Sequence, residues 1–221
     1  MVDYFITHAS GIIALSVTLL HLLGFLAERY LTGGVSPAVW LCVGVIDAAF
    51  AYRCGVLVQA AFKDSLTALH NRHYFAAAIA GRKGGGRESG AGIALLMIDI
   101  DDFKHINDTH GHGMGDTVLR QLAALLAAGI RKDDAAIRWG GEEFLVILAG
   151  ADKTSAGLFA ERLRATVERH RFGQGQNIVA VTVSIGIAAA AATADLEQLT
   201  RLADEALYRA KQTKNSVVSD A

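Results

Sequence analysis

Two apolar stretches separated by Gly140-Gly141 constrain this chain more than any other feature. Ala135-Ala136-Ile137-Arg138-Trp139 runs up to the glycines, and Glu142-Glu143-Phe144-Leu145-Val146-Ile147-Leu148 leaves them. Short apolar runs bounded by glycine read as strands. Two strands joined by Gly-Gly read as a tight hairpin, because glycine takes the positive φ of a primed turn without strain. The turn then fixes what stands at the tip. Glu142 and Glu143 follow it directly and alternate across the strand, which predicts a carboxylate on each face, beside bare backbone that a phosphate can approach. Exposed acids decorating a hairpin tip are the bland alternative.

A second short run, Ile93-Ala94-Leu95-Leu96-Met97-Ile98, predicts a buried strand and ends abruptly in Asp99, Asp101 and Asp102. Carboxylates at a strand end suit Mg²⁺, a hard cation that takes one or two protein carboxylates together with substrate phosphates. Acids also suit the start of a helix, where the macrodipole favours them. The next residues, Phe103-Lys104-His105-Ile106-Asn107-Asp108 and Gly111-His112-Gly113-Met114-Gly115-Asp116, supply a cation, an amide and a glycine-rich turn before a helix expected from about Thr117 to Ala128. Such a set can cradle phosphate and read a base edge. Around it, Asp64-Ser65-Leu66-Thr67 opens the module, and Leu69, Tyr74, Phe75 and Ile79 share a helical face. Residues 81–92 read as a loop, 153–170 as a helix, Val179 to Ile187 as a strand and Asp195 to Lys211 as a helix. The mixed order excludes a simple Rossmann alternation and predicts an α+β domain with a mainly antiparallel sheet flanked by helices.

The first sixty residues differ in kind and account for most of the positive mean hydropathy of +0.32. Ala9 to Ala27 contains no charged residue and, as a helix, would rise roughly 28 Å, close to a bilayer's hydrocarbon thickness. A polar, breaker-rich turn from Glu28 to Pro37 follows, and Val39 to Ala61 is apolar again, interrupted by Asp47 and Arg53. The chain therefore divides into residues 1–62, an apolar helical hairpin read as two membrane spans (about 9–27 and 38–61), and a polar domain at 63–221. A buried or dimerising helical pair is the alternative. No Lys or Arg precedes the first run and Asp3 stands where a signal peptide would be positive, so a cleaved leader is not expected. Basic residues are too sparse to orient the hairpin by charge. Cys42 and Cys54 match neither a redox pair nor zinc ligands, and His8 and His21 read as packed histidines. A formal net charge of −1 argues against binding a nucleic-acid polymer, so nucleotide binding must be local.

Taken together, Asp64-Ser65-Leu66-Thr67-Ala68-Leu69-His70-Asn71-Arg72, Asp99 to Lys104, Ile106-Asn107-Asp108 and Gly140 to Phe144 resemble the GGDEF family of diguanylate cyclases, in the family's order and over about 150 residues. The resemblance implies a palm-like nucleotidyl cyclase domain that condenses two GTP into cyclic di-GMP and two pyrophosphates, with one GTP held per subunit of a homodimer. It further implies Mg²⁺, with Mn²⁺ as a substitute, on Asp99, the Ile100 carbonyl, Glu142 and Glu143. Glu142 would be the base for the 3′-hydroxyl and Lys104 would stabilise transition-state charge. Phe103, Asn107, His112, Asp116, Gly140, Gly141 and Lys211 would contact substrate, with Asn107 and Asp116 on guanine and Lys211 on phosphate.

Arg131-Lys132-Asp133-Asp134 is similar to the family's RxxD inhibitory site, which implies feedback by cyclic di-GMP at Arg131 and Asp134, with Arg162 as a second arginine. The tail Lys211-Gln212-Thr213-Lys214-Asn215 departs from the family by lacking Gly-Arg before Asn, and Lys214 offers a point charge in place of a guanidinium fork. Use of GTP implies a cytoplasmic catalytic domain tethered to the inner membrane of a bacterium. The competing expectation is a catalytically silent receptor that binds GTP or cyclic di-GMP and signals through the hairpin.

Overall fold

The computed structural model describes residues 19, 22–26, 37–82, 92–191 and 193–220. The chain divides into two units, Met1–Phe62 and Lys63–Ala221. In the first unit residues 22–26 are helical, while most of the expected first span and the polar turn at 28–36 lie outside the described residues. Helix α1, Pro37–Ala61, is apolar along most of its length, with Asp47 and Arg53 within it, and carries Leu41, Val45, Ile46, Phe50 and Leu57 exposed. Its Leu41–Val58 stretch is the one span among the described residues long and apolar enough to cross a membrane, and none of it is buried within the chain.

The second unit is built on a six-stranded sheet in the order β1-β3-β4-β2-β7-β8, from β1 (His70–Asn71), β2 (Gly92–Ile100), β3 (Ala135–Arg138), β4 (Glu143–Ala149), β7 (Val183–Ala191) and β8 (Val217–Ser219). A separate two-stranded ribbon joins β5 (Phe172–Gln174) to β6 (Asn177–Val179). The central pairs β3–β4, β4–β2 and β2–β7 are antiparallel, and the short edge strands β1 and β8 pair parallel to β3 and β7. The mainly antiparallel α+β expectation holds. Helices flank the sheet: α2 (Arg72–Arg82), α3 (Phe103–His110), α4 (His112–Gly129), α5 (Lys153–Arg169) and α6 (Leu196–Ala210).

Strand β2 is central, so both of its faces are apolar and its sequence reads as one continuous run. Ala94, Leu96, Ile98 and Ile100 join one core with Phe103, Ile106, Leu122, Leu126, Leu163 and Val167 from α3, α4 and α5. Helix α6 packs with Ala203, Ala206, Leu207 and Ala210 buried. It comes so near β7 that a Cβ on Gly186 would stand 2.1 Å from the Leu207 amide nitrogen and 2.2 Å from the Ala203 carbonyl oxygen. Side-chain caps start two of these helices: the Asp152 carboxylate accepts from Ser155 N–H at 2.8 Å at α5, and Asp195 accepts from Glu197 N–H at 2.9 Å at α6.

Two local expectations need correction. The Gly111–Asp116 segment is a single-residue break, and not an extended glycine-rich turn: Gly111, at φ 81°, separates α3 from α4, and α4 already begins at His112. The strand expected from Val179 to Ile187 is two strands, β6 ending at Val179 and β7 starting at Val183. In the first place glycines that read as a turn are helical, because glycine weakens a helix without forbidding it; in the second, apolar patterning hid a break, because periodicity shows which face is buried but not where hydrogen bonding is interrupted. Of the loop expected at 81–92, α2 takes residues to Arg82 and β2 starts at Gly92; residues 83–91 lie outside the described residues.

Candidate active site

The register of β2 against β4 sets Asp99 directly opposite Glu143, so the strand-end aspartate and the second glutamate of the hairpin share one face of the sheet. Glu142 precedes the strand, and its carbonyl oxygen accepts from Ile100 N–H at 3.4 Å, which ties the hairpin tip to the end of β2. Gly140 and Gly141 do not carry the positive φ that a primed turn requires. The loop is wider, with Trp139 and Gly140 N–H both donating to the Glu143 carbonyl, at 2.8 and 3.2 Å. A Cβ on Gly140 would lie 2.5 Å from Glu143 Oε2 and displace that carboxylate, whereas a Cβ on Gly141 would meet open space.

The acids at the end of β2 have different occupations. Asp101, 7% exposed, accepts from the Ser184 hydroxyl on Oδ1 at 2.7 Å, and on Oδ2 from the Thr182 hydroxyl at 2.7 Å and Asn215 N–H at 2.8 Å. Asp102, at a left-handed φ of 54°, opens α3 and holds the Lys214 ammonium with both oxygens at 2.7 and 2.8 Å. Asp99 is different. Its Oδ2 meets Lys211 Nζ at 2.7 Å, but its Oδ1 is buried without a hydrogen-bond partner. Burial pushes the Asp99 carboxyl up from 3.8 to about 6; Lys211 pulls the other way, and Glu142 and Glu143 add to the rise.

A buried carboxylate oxygen with no donor, beside two more acids, has the chemistry to accept a cation. Among the described residues no three His, Cys, Asp or Glu side chains converge into a complete metal cage. The unpartnered Asp99 Oδ1 opposite Glu143 could hold only a hard divalent ion that takes the rest of its shell from phosphate and water.

Beyond the strand end, Phe103 and Ile106 anchor α3 in the core and leave Lys104 exposed near its start. Asn107 lies against Gly115, where a Cβ would fall 2.0 Å from Asn107 Oδ1. That contact explains a glycine inside α4, which otherwise costs about 1 kcal/mol of helix stability. His112 begins α4 exposed, and Asp116, one turn on, pairs with Arg120 at 3.7 Å. Arg131 and Asp134 form the turn before β3. The Asp134 carboxylate accepts from Arg131 N–H at 2.9 Å and from Ala149 N–H at 3.0 Å, so the Arg131 guanidinium stays exposed on a fixed turn. Arg162 on α5 lies over Phe159 at 5.4 Å, and Phe159 is also the ring nearest Gly129, two residues before Arg131.

Sequence reasoning missed several residues that hold this site. Arg138 bonds Asp64 at 3.1 and 3.2 Å and the Gly141 carbonyl at 2.8 Å, clamping the hairpin to the opening motif. Burial would raise the Asp64 carboxyl, but the Thr67 hydroxyl, Thr67 N–H and Arg138 outweigh it and hold the carboxyl below 3.8. Asn215 is held by both ends of its amide, Oδ1 accepting from Arg164 and Nδ2 donating to Glu168, each at 2.7 Å. The Asp64–Arg138 pair and both Asn215 pairs span tens of residues, so no local pattern betrays them.

Comparison with known proteins bears on the family and the fold. The family description "Diguanylate cyclase, GGDEF domain" matches residues 61–216. The response regulator PleD of Caulobacter vibrioides is 41% identical over 168 residues, 74% of this chain and 37% of PleD. The diguanylate cyclase DgcS of Shewanella oneidensis is 37% identical over 158 residues, 70% of this chain and 50% of DgcS. The chain thus spans half or less of these curated relatives. Among solved structures, the coiled coil and GGDEF domain of DgcB from Caulobacter crescentus, in complex with c-di-GMP, superposes with a TM-score of 0.75 at 27% identity, covering 82% of this chain and 97% of that one.

Proposed function

The chain belongs to the GGDEF family of diguanylate cyclases, and from that premise we propose that it condenses two molecules of GTP into cyclic di-GMP with release of two pyrophosphates. The observation that carries the reading is Asp99: a buried carboxylate with one oxygen lacking a donor, opposite Glu143 and beside Lys211.

Mg²⁺, or Mn²⁺ in its place, would be held by Asp99, the Ile100 carbonyl, Glu142 and Glu143, and would supply neutralisation of triphosphate charge. The chain's own groups do the rest. Asn107 and Asp116 hold the guanine, with His112 and Phe103 beside it. Gly140 and Gly141 let the triphosphate lie along the hairpin backbone, and Lys211 meets its terminal phosphate. Glu142 takes the proton of the 3′-hydroxyl as that oxygen bonds to the α-phosphorus of the other nucleotide and the bond to pyrophosphate breaks. Lys104 balances the charge that develops on the phosphoryl oxygens. Because each domain holds one nucleotide, two copies must meet face to face.

Cyclic di-GMP would return to Arg131, Asp134 and Arg162 as an inhibitor, with guanidinium forks gripping its phosphates and guanines. Helix α1, long and largely apolar, supports tethering to a membrane; use of GTP would put the catalytic domain in the cytoplasm, on the inner membrane of a bacterium. The test is incubation of the full chain in detergent with GTP and Mg²⁺ or Mn²⁺, followed by chromatography. Cyclic di-GMP and pyrophosphate are expected in a ratio of one to two. Binding of GTP or cyclic di-GMP with no product would replace this reading with that of a silent receptor.

A further inference from the structure

We infer that Asp101, which is not a metal ligand here, is a positioning residue for recognition of the terminal phosphate, acting by fixing the segment that carries Lys211. The inference rests on the reading that Lys211 meets that phosphate. Each acid at the end of β2 holds a different residue of the tail: Asp99 holds Lys211, Asp102 holds Lys214, and Asp101 holds the main-chain N–H of Asn215. The first two contacts are ion pairs of partly exposed lysines, with side chains 41% and 53% exposed, which a phosphate or a cation can exchange. The Asp101 contact is buried and uses a backbone donor, so no ligand can take its place.

The tail between Lys211 and Asn215 has little slack. The Ala210 carbonyl accepts from Thr213 N–H, Lys214 N–H and the Ser216 hydroxyl, at 3.2, 3.0 and 2.8 Å, which winds the chain tightly off the end of α6. Lys214 and Asn215 both adopt left-handed φ, 56° and 43°, a conformation that non-glycine residues hold only when their surroundings enforce it. Ser216 then accepts from Ile185 N–H at 2.9 Å and the chain enters β8. One end of this coil is set by α6, where Lys211 N–H still donates to the Leu207 carbonyl at 2.9 Å, and the other by Asp101 on the Asn215 N–H together with Arg164 and Glu168 on the Asn215 side-chain amide. Asp101 is the side chain that grips the main chain at Asn215: without it the turn after Lys211 can shift about the Asn215 side chain, and the Lys211 ammonium is no longer held at one place.

The test compares binding of 3′-deoxy-GTP and 3′-deoxy-GDP, which lack the attacking hydroxyl, to the full chain in detergent with Mg²⁺ by calorimetry. The parent should prefer the triphosphate. Asp101→Ala should lose about tenfold of that preference, the size of one charge-assisted hydrogen bond, with diphosphate affinity held within about twofold. Thr182→Val removes a hydroxyl from the same carboxylate without touching the tail and should keep the preference. Asp101→Asn, whose carbonyl can still accept from Asn215 while its amide donates to Ser184, should restore it. Should Asp101→Ala not fold, Asp101→Glu moves the acceptor by one methylene and should also lower the preference. Equal weakening of both nucleotides, or a preference kept in the Ala or Glu variant, overturns the inference. A parent that does not distinguish the nucleotides overturns instead the phosphate role of Lys211 on which it rests.

Discussion

Replacing Asp99 with Asn should make the ligand-free protein more stable while abolishing its chemistry. The Asp99 carboxyl is pushed from 3.8 to about 6, so the folded state holds its proton more tightly than the unfolded state. The stability linked to that proton is fully present below 3.8 and is lost as pH rises through about 6. At roughly 1.36 kcal/mol per pH unit, the ionised side chain costs up to about 3 kcal/mol at pH 8. Asn fills the same volume without the charge. Lys211 loses its partner but is 41% exposed and can be solvated, so the change should retain most of the gain. For a domain of this size that corresponds to a rise in Tm of up to about 10 °C. Thermal unfolding of parent and Asp99→Asn, followed by circular dichroism with a chelator present, measures it. The difference should be near zero at pH 4, grow between pH 4 and 7 and then level off. A variant less stable than the parent at pH 8, or a difference independent of pH, would refute the argument that this carboxylate is held at a cost for a cation.

Other consequences are nearer to packing. Gly186→Ala places a methyl against the backbone of α6, so it should cost about 1 to 3 kcal/mol in chemical denaturation, and turnover should fall further than stability because Lys211 moves with the helix. Gly115→Ala should raise the KM for GTP about tenfold with little change in Tm, since the methyl displaces Asn107 and leaves the rest of α4 in place. Arg138→Ala frees Asp64 and the Gly141 carbonyl together and should cost about 2 kcal/mol at pH 7. Because the Asp64 carboxyl is held below 3.8, that penalty should shrink as pH falls below 4; a pH-independent penalty would contradict the ion pair.

Much of this architecture was legible in the sequence for physical reasons. A central strand buried on both faces must be a continuous apolar run, as Ile93 to Ile98 is, and a chain that reverses within a few residues must expose its tip, as Gly140-Gly141 does. What stayed hidden was any feature decided by a particular side-chain contact and not by a repeat in the sequence. The role of Gly140 is set by the Glu143 carboxylate and not by φ, and that of Gly115 by the amide of Asn107, eight positions earlier. Asp99, Asp101 and Asp102 look alike in sequence, yet one lacks a donor, one is saturated by Thr182, Ser184 and Asn215, and one is tied to Lys214. Lys214, read as a point charge in place of an arginine, pairs with Asp102, a contact spanning more than a hundred residues.

The central claim is that this site joins two GTP molecules, and the direct measurement is product formed by the full chain in detergent with GTP and Mg²⁺, parent beside Glu142→Gln, with and without added cyclic di-GMP. The account predicts cyclic di-GMP from the parent, its suppression by added product, and no detectable synthesis by the folded Glu142→Gln variant. Undiminished synthesis by that variant, or a folded dimeric parent that binds GTP and makes nothing, would contradict it.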